Sequence, residues 1–223
     1  LDGAEATATA CTAQGAKHKG FYTANATLTL GEKCRAEHCE VGFGAHGDSA
    51  HLHLGTDCIA EQCRVGVWSS GAAVGVSRGC RVAASETGFV CADRGVMTIR
   101  EGCVSTCKGS CYTAMMGGHI AVRSSCVAEG GNVGFQAHGS LSHITLARRC
   151  VARGCSQGVV ADEGGQVTVG EQFRALDCNS GFYASGKGSK IEVGPGPILD
   201  CRLPYFDNGV GRVVQQRSEQ EAA

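Results

Sequence analysis

The chain has 223 residues and a formal net charge of −1 at pH 7, which argues against a general nucleic-acid-binding or membrane-surface protein. No apolar run approaches the ~20 residues that cross a bilayer as a helix. Glycine occurs 34 times and proline only 3 times, a balance that excludes collagen and proline-rich disordered segments.

From Gly20 to about Gly194 the sequence repeats a unit of 22–24 residues roughly eight times. Each unit opens with glycine and a bulky residue, except that cysteine replaces the glycine of the fifth unit. The openings are Gly20-Phe21, Gly42-Phe43, Gly66-Val67, Gly88-Phe89, Cys111-Tyr112, Gly134-Phe135, Gly158-Val159 and Gly181-Phe182. A period of this length indicates a solenoid, since one unit buries its apolar face only when its neighbours stack on it.

Each unit continues with an alternating apolar run and then a cysteine at nearly constant phase. The runs are Leu28/Leu30, Leu52/Leu54, Val74/Val76, Met97/Ile99, Ile120/Val122, Ile144/Leu146, Val167/Val169 and Ile191/Val193. The cysteines are Cys34, Cys58, Cys80, Cys103, Cys126 and Cys150, and Phe173 takes this position in the seventh unit. Short alternation is typical of strands, and no window sustains the i, i+3, i+4 spacing of a helix.

Each unit therefore predicts three short strands, which we number first (around Gly-Phe-x-Ala), second (Leu-x-Leu) and third (Cys-x-Ala). Three strands and three corners per coil predict an all-β parallel β-helix of about eight coils. We expect three parallel sheets, with coils spaced by ~4.8 Å, and continuous inward stacks of the bulky residues and of the cysteines.

One unit shows the full motif in Gly42-Phe43-Gly44-Ala45, Leu52-His53-Leu54 and Cys58-Ile59-Ala60-Glu61-Gln62-Cys63. Over about residues 20–200 this motif resembles the right-handed parallel β-helix repeat superfamily, in particular repeats found beside pectate lyases and in some F-box proteins. The resemblance implies an architecture, because the superfamily includes polysaccharide lyases and epimerases together with non-catalytic scaffolds, spikes and adaptor modules. The chain departs from the enzymes in having no stacked asparagine ladder.

The fifteen cysteines allow three interpretations: small buried hydrophobes at tight corners, disulfides, or metal ligands. Pairs such as Cys34/Cys39 and Cys58/Cys63 have the spacing Cys-x₄-Cys and recur at the coil period. Zinc sites need pairs that converge on one point, whereas these cysteines would lie in rows. In-register stacking holds Cβ atoms near ~4.8 Å, beyond the ~3.5–4.5 Å of a disulfide. We expect mostly reduced thiols, and many free thiols favour a reducing intracellular compartment or a virion. We expect no metal and no cofactor.

Candidate catalytic residues lie on the outer side of the first strands. His138 and Asp162 fall on adjacent coils, Glu163 follows Asp162, and a histidine–carboxylate pair has the chemistry of a general base. No lysine or arginine joins them to neutralise the carboxylate of an acidic sugar, so a solvated surface cluster is the favoured interpretation, and Asp93-Arg94 is another candidate pair.

The outer side of the second strands carries the candidate metal ligands, His119 and His143, one coil apart. Two imidazoles begin a metal site, but no third ligand accompanies them, so the sequence predicts a surface pair.

The corner after the second strands carries five arginines, which we call the arginine edge: Arg78, Arg100, Arg123, Arg148 and Arg149. Guanidinium groups on successive coils suit a regularly charged anion such as an acidic glycan. Trp68, on the outer side of a first strand, is a further candidate for ligand binding. A mixed, solvated edge is the alternative, since four carboxylates share the corner: Glu32, Asp57, Glu101 and Glu171.

The sequence divides into residues 1–19, a degraded first coil or the remnant of a preceding region, residues 20–203, the β-helix, and residues 204–223, a C-terminal cap with a polar tail. Bulky residues from Leu203 to Phe206 are suited to cover the apolar end of the column.

The preferred hypothesis is a non-catalytic scaffold or binding module within a larger or oligomeric assembly, with a protein partner or a second copy. The Ala-, Gly-, Cys- and Arg-rich composition also resembles repeat families of giant DNA viruses, which implies a virus-associated structural role. The alternative is a carbohydrate-active enzyme, a lyase, hydrolase or epimerase, acting on an acidic polysaccharide. An enzyme needs ionisable groups that converge in one groove, whereas a scaffold does not. Neither a nucleic acid nor a membrane is expected as a partner.

Overall fold

The computed structural model describes residues 4–215, and every regular element in that range is a β-strand. The prediction of an all-β parallel β-helix is confirmed, with about nine turns. Residues 4–215 include no helix, and hence no helix of the length and apolarity needed to cross a membrane. The C-terminal residues 216–223, most of the predicted polar tail, lie outside the described residues, as do residues 1–3.

The strands fall into the three predicted sets. The first strands are β3 (Lys19–Ala24), β6 (Val41–His46), β9 (Val65–Ser70), β12 (Thr87–Ala92), β15 (Ser110–Met115), β18 (Val133–His138) and β21 (Gln157–Asp162). The second strands are β1 (Glu5–Ala8), β4 (Thr27–Leu30), β7 (His51–Leu54), β10 (Ala73–Val76), β13 (Val96–Ile99), β16 (His119–Val122), β19 (His143–Leu146), β22 (Gln166–Val169), β24 (Lys190–Val193) and β26 (Arg212–Gln215). The third strands are β2 (Thr12–Gln14), β5 (Arg35–Glu37), β8 (Ile59–Glu61), β11 (Arg81–Ser85), β14 (Val104–Cys107), β17 (Val127–Glu129) and β20 (Val151–Arg153). Two long strands, β23 (Arg174–Ser185) and β25 (Ile198–Asp207), each combine a third strand with the first strand that follows it.

Hydrogen bonding joins these strands into two parallel sheets, which corrects the expectation of three. The second strands form a sheet of ten, and the first and third strands form a sheet of sixteen. The long strands cause the merger, because β23 continues through the corner with only a register shift between Leu176 and Cys178. In earlier coils the same corner interrupts the strand, so the two rows meet only through the last coils.

The core contains the predicted stack of bulky side chains from the first strands. Parallel register places Phe43 between Phe21 and Val67, and Tyr112 between Phe89 and Phe135. The ring centroids of Tyr112 and Phe135 are 4.7 Å apart, in a stacked arrangement. The Tyr112 hydroxyl lies 3.2 Å from each of two backbone carbonyl oxygens, those of Cys103 and Val127, and it can donate its one proton to either, so this buried phenol is satisfied.

The predicted cysteine row is confirmed as buried, and its thiols also have a hydrogen-bonding role. The Sγ atoms of Cys58, Cys80 and Cys103 each lie 3.1–3.3 Å from a carbonyl oxygen at the corner of the preceding coil. A thiol is small and apolar enough for the core and remains a weak donor, so it fits beside a corner carbonyl without leaving a cavity. All fifteen cysteines are free thiols in the structure.

Irregular coils preserve the volume of the core by exchanging residues between positions. In the seventh unit the stack contains the small Val159, and Phe173 replaces the usual cysteine. The Phe173 ring lies 6.1 Å from the ring of Phe135 and 5.5 Å from that of Phe182, the two stack neighbours of Val159. The additional aromatic ring therefore fills the space beside the valine.

Cys111 provides a second example of this exchange. At the equivalent position of another unit, a Cβ on Gly42 would lie 2.8 Å from a carbonyl oxygen and 3.3 Å from Cys63 Sγ of the next coil. The coil after Cys111 has Gly131 where that cysteine would be, and Cys111 Sγ lies 3.8 Å from the oxygen of the adjacent Gly130. The thiol of Cys111 thus occupies space that the missing cysteine leaves.

The strands near both ends of the described range also pair with the neighbouring coil. Strands β1 and β2 pair in parallel with β4 and β5. At the other end Tyr205 of β25 stacks on Phe182 with ring centroids 5.5 Å apart, and Phe206 stacks on Tyr183 at 4.7 Å. Leu203, Tyr205 and Phe206 keep 37–49% of their surface exposed. These residues add a further coil to the stack.

Candidate functional site

The three candidate catalytic residues come together at one corner. Parallel register pairs His138, the last residue of β18, with Asp162, the last residue of β21. The imidazole Nδ1 lies 3.2 Å from Asp162 Oδ2, and Nε2 lies 3.5 Å from Glu163 Oε2. His138 is therefore held between two carboxylates, one half-buried and one exposed.

A hydrogen-bonded chain extends from this cluster along the outer side of the first strands. Gln136 Nε2 donates to Asp162 Oδ2 over 3.4 Å, and Ser110 Oγ donates to Gln136 Oε1 over 3.0 Å. The other carboxylate oxygen, Asp162 Oδ1, is buried and has no hydrogen-bond partner among residues 4–215. Within the same range no lysine or arginine nitrogen lies within 4.0 Å of Asp162 or Glu163, so no lysine or arginine belongs to the cluster.

Sequence reasoning missed a second polar chain on the same outer row. His46 Nδ1 lies 3.2 Å from Ser70 Oγ, which donates to Asp93 Oδ2 over 2.5 Å. The serine stands between histidine and aspartate, whereas a nucleophilic triad places the histidine in the middle. The two-residue alternation of a strand accounts for His46 and Ser70 in this row, but Asp93 lies in a corner with φ 53°, where alternation gives no side-chain direction.

Trp68 belongs to an apolar cluster on the outside of the first strands. It packs against Val41, Val65 and Val90, and its ring stacks on that of His46 with centroids 6.0 Å apart. The second strand β10 separates Trp68 from the corner of the arginine edge, so the structure does not bring these candidate ligand-binding residues together.

The two histidines of the second strands form a stacked surface pair. The rings of His119 and His143 have centroids 6.2 Å apart, and His143 Nε2 lies 3.1 Å from Thr145 Oγ1. Partial burial, together with the charge of His119, lowers the pKa of His143. Among the described residues no group of three or more His, Cys, Asp or Glu side chains has the arrangement of a metal site.

The arginine edge is exposed and staggered. Corner hydrogen bonds align Arg78 with Glu101 and Ser124, and align Arg148 with Glu171 on the next coil. Arg100 and Arg123 therefore come one position earlier in their corners, and Arg149 comes one position later than Arg148. The guanidinium groups thus form a band about three residues wide along the column.

None of these five arginines has a carboxylate oxygen within 4.0 Å among residues 4–215. The arginines that do form ion pairs lie outside this corner: Arg35 with Glu37 and Glu61, Arg64 with Glu40, and Arg153 with Glu129. The carboxylates that share the corner therefore leave the guanidinium donors of the edge free to bind an external anion.

Comparisons with known proteins give no assignment: no family model, no curated protein and no solved structure matches the chain. The geometry of these surfaces is therefore the basis for a functional proposal.

Proposed function

We propose that the chain is a non-catalytic parallel β-helix that binds an extended acidic glycan along the arginine edge. The observation that carries the proposal is the free state of the five exposed guanidinium groups within residues 4–215. Guanidinium groups bind carboxylates and sulfates through paired, charge-assisted hydrogen bonds. From Arg78 to Arg148 the edge spans three coil spacings, about 14 Å at ~4.8 Å each, which suits a linear polymer with repeated charges.

The column supports this role because it holds the charges on a rigid frame. Buried stacks and in-register pairing fix each corner relative to the next. Such preorganisation reduces the conformational entropy that binding costs. We also propose that the chain belongs to the right-handed parallel β-helix repeat superfamily and is similar to the repeats found beside pectate lyases. Within that superfamily it would be one of the non-catalytic scaffolds or adaptor modules.

We further propose that the chain is part of a larger assembly, in which it binds a protein partner or a second copy of itself. A virus-associated structural role is one form of this proposal. Support comes from the exposed apolar side chains of β25, namely Leu203, Tyr205 and Phe206, which an adjoining protein surface would cover.

Calorimetric titration with polygalacturonate and with alginate tests the binding role. We expect the triple variant Arg78→Gln, Arg100→Gln, Arg123→Gln to bind at least about tenfold more weakly, since three charge-assisted contacts are lost. The matched control, Arg35→Gln, Arg64→Gln, Arg153→Gln, loses the same charge from paired positions and should keep its affinity within about twofold. Equal losses in both variants, or no binding of either glycan by the parent protein, would overturn the proposal.

A carbohydrate-active enzyme is the second candidate, and the contact of His138 with two carboxylates favours it. In this hypothesis His138 acts as the general base, and Asp162 holds the imidazole and stabilises its charged form. The opposing observation is that no lysine or arginine is present to neutralise the carboxylate of an acidic sugar within the described cluster.

Incubation with polygalacturonate and alginate, followed by ultraviolet absorbance of unsaturated products and by a reducing-end assay, separates the two candidates. We expect no turnover by the parent protein. Turnover that disappears in the double variant His138→Ala, Asp162→Asn would establish the enzyme and refute the non-catalytic proposal.

A further inference from the structure

An open groove of about 440 Å³ lies at the C-terminal end of the arginine edge. Its lining residues come from three consecutive coils: Arg149, Val151, Gln172, Arg174, Gly196 and Ile198. The volume falls within the ~300–1,000 Å³ range of sites that take small organic molecules. The groove is separate from the cluster of His138 and from the surface of Trp68.

The repeat itself builds the floor of this groove. Parallel register places Val151, Arg174 and Ile198 opposite one another on the outer side of three adjacent third strands. Val151 is half-buried and Ile198 is 52% exposed, so aliphatic surface remains open to a ligand on both sides of Arg174.

Two guanidinium groups accompany these aliphatic side chains, one within the row and one at the neighbouring corner. Arg174 belongs to the floor row, and Arg149 lies two residues before Val151, in the corner, with φ 59°. Neither arginine has a carboxylate oxygen within 4.0 Å in the part of the chain that the structure describes, and no acidic residue lines the groove. The site therefore combines free cationic donors with exposed aliphatic carbon.

We propose that this groove binds a small amphipathic organic anion. A phosphate, sulfate or carboxylate group would lie between Arg149 and Arg174, and an aryl or alkyl part would pack on Val151 and Ile198. The inference does not depend on glycan binding, because Arg174 and Ile198 lie outside the arginine edge. Only Arg149 is shared by the two surfaces.

NMR titration with 2-naphthyl phosphate tests this site, with inorganic phosphate and 2-naphthol as comparison probes. We expect saturable shifts of the Val151 and Ile198 methyl signals with a Kd of about 1 mM or tighter. Each comparison probe should bind at least about tenfold more weakly, because each offers only one of the two interactions. No saturable shift with 2-naphthyl phosphate, or equal affinity for either comparison probe, would overturn the proposal.

Single variants locate the site and separate it from the edge. Arg174→Gln should weaken 2-naphthyl phosphate binding about tenfold, and Ile198→Thr should weaken it by about threefold, while polygalacturonate binding stays unchanged. The control Arg153→Gln lies on the neighbouring outer row, is paired with Glu129, and should change neither affinity. A retained methyl spectrum shows that each variant is folded. If Arg174→Gln lost affinity for both 2-naphthyl phosphate and polygalacturonate, the proposal of a separate site would be refuted. If the variant Arg78→Gln, Arg100→Gln, Arg123→Gln lost only polygalacturonate binding, the separate site would be supported.

Discussion

Single residues in the left-handed conformation turn the chain at its corners. Lys33, Asp57, Ser125, Arg149 and Gln172 occupy one such corner position, with φ between 55° and 60°. A left-handed residue that has a Cβ costs roughly 1–2 kcal/mol, which glycine avoids. The strained conformation persists because the coils stacked above and below hold each corner in place. Glycine spacing alone therefore located only some of the corners in the sequence.

Ala84 allows a direct test of this cost, since it is exposed and has φ 51°. We expect Ala84→Gly to raise the free energy of unfolding by about 0.5–1 kcal/mol, because relief of the left-handed strain exceeds the entropy that glycine adds to the unfolded chain. The matched control is Ala83→Gly in strand β11, which should lower stability by about 0.5–1 kcal/mol. Urea unfolding of both variants measures the difference, and destabilisation by Ala84→Gly would contradict the expected strain.

The lowered pKa of His143 predicts a pH dependence of stability. Burial opposes the charged form in the folded state, and His119 adds repulsion, so the unfolded chain binds the proton more readily. Stability is therefore complete above the usual histidine pKa of 6.5 and declines as the pH falls below it. His143→Gln should flatten this decline, measured as the midpoint of urea unfolding between about pH 5 and 7.5. The exposed His51 provides the control variant His51→Gln, and an equal flattening there would contradict the role of His143.

At the scale of the strand, the sequence pattern predicted which residues share a row. The cysteine row, the aromatic stack and the meeting of His138 with Asp162 all follow from the repeat and the two-residue alternation of strands. The pattern did not predict the merger of the first and third strands into one sheet, since that depends on the path of β23 through a corner. The pattern also did not predict the hydrogen bond from Ser70 to Asp93, because Asp93 lies in a corner and not on a strand.

Core packing between strands predicts a compensating pair, Val159 and Phe173. Val159→Phe should lower the free energy of unfolding by about 1–3 kcal/mol through overpacking. Phe173→Cys should lower it by about 3 kcal/mol through the cavity it leaves beside Phe135 and Phe182. The double variant restores the arrangement of a regular coil and should recover about 1–3 kcal/mol relative to the sum of the two changes. Additive losses in urea unfolding would show that the two positions do not exchange volume.

At the scale of the whole molecule, the column presents different chemistry on each outer surface. The first strands present aromatic and hydrogen-bonded polar groups, the second strands histidine and threonine, and the corner beyond them the arginine edge. The repeat predicted this separation of surfaces. The stagger of the arginines across three corner positions required the structure, because units of 22–24 residues differ in length at the corners.

The free thiols are also a property of the whole column. Because the ~4.8 Å coil spacing disfavours disulfides between cysteines stacked on successive coils, well over half of the fifteen cysteines should react with a thiol reagent after denaturation without a reductant. Counting the reacted thiols by mass spectrometry provides the measurement, and a sample reduced beforehand provides the full count. Detection of about five or more disulfides would contradict this expectation and indicate an oxidising compartment.

The central claim, that the arginine edge binds an extended acidic glycan, is tested most directly by calorimetric affinity as a function of glycan length. A series of galacturonate oligomers should bind more tightly with each added residue until the oligomer covers about 14 Å, and the affinity should then level off. The variant Arg78→Gln, Arg100→Gln, Arg123→Gln should lose most of this rise. Affinity independent of length, or an undiminished rise in the variant, would contradict the claim.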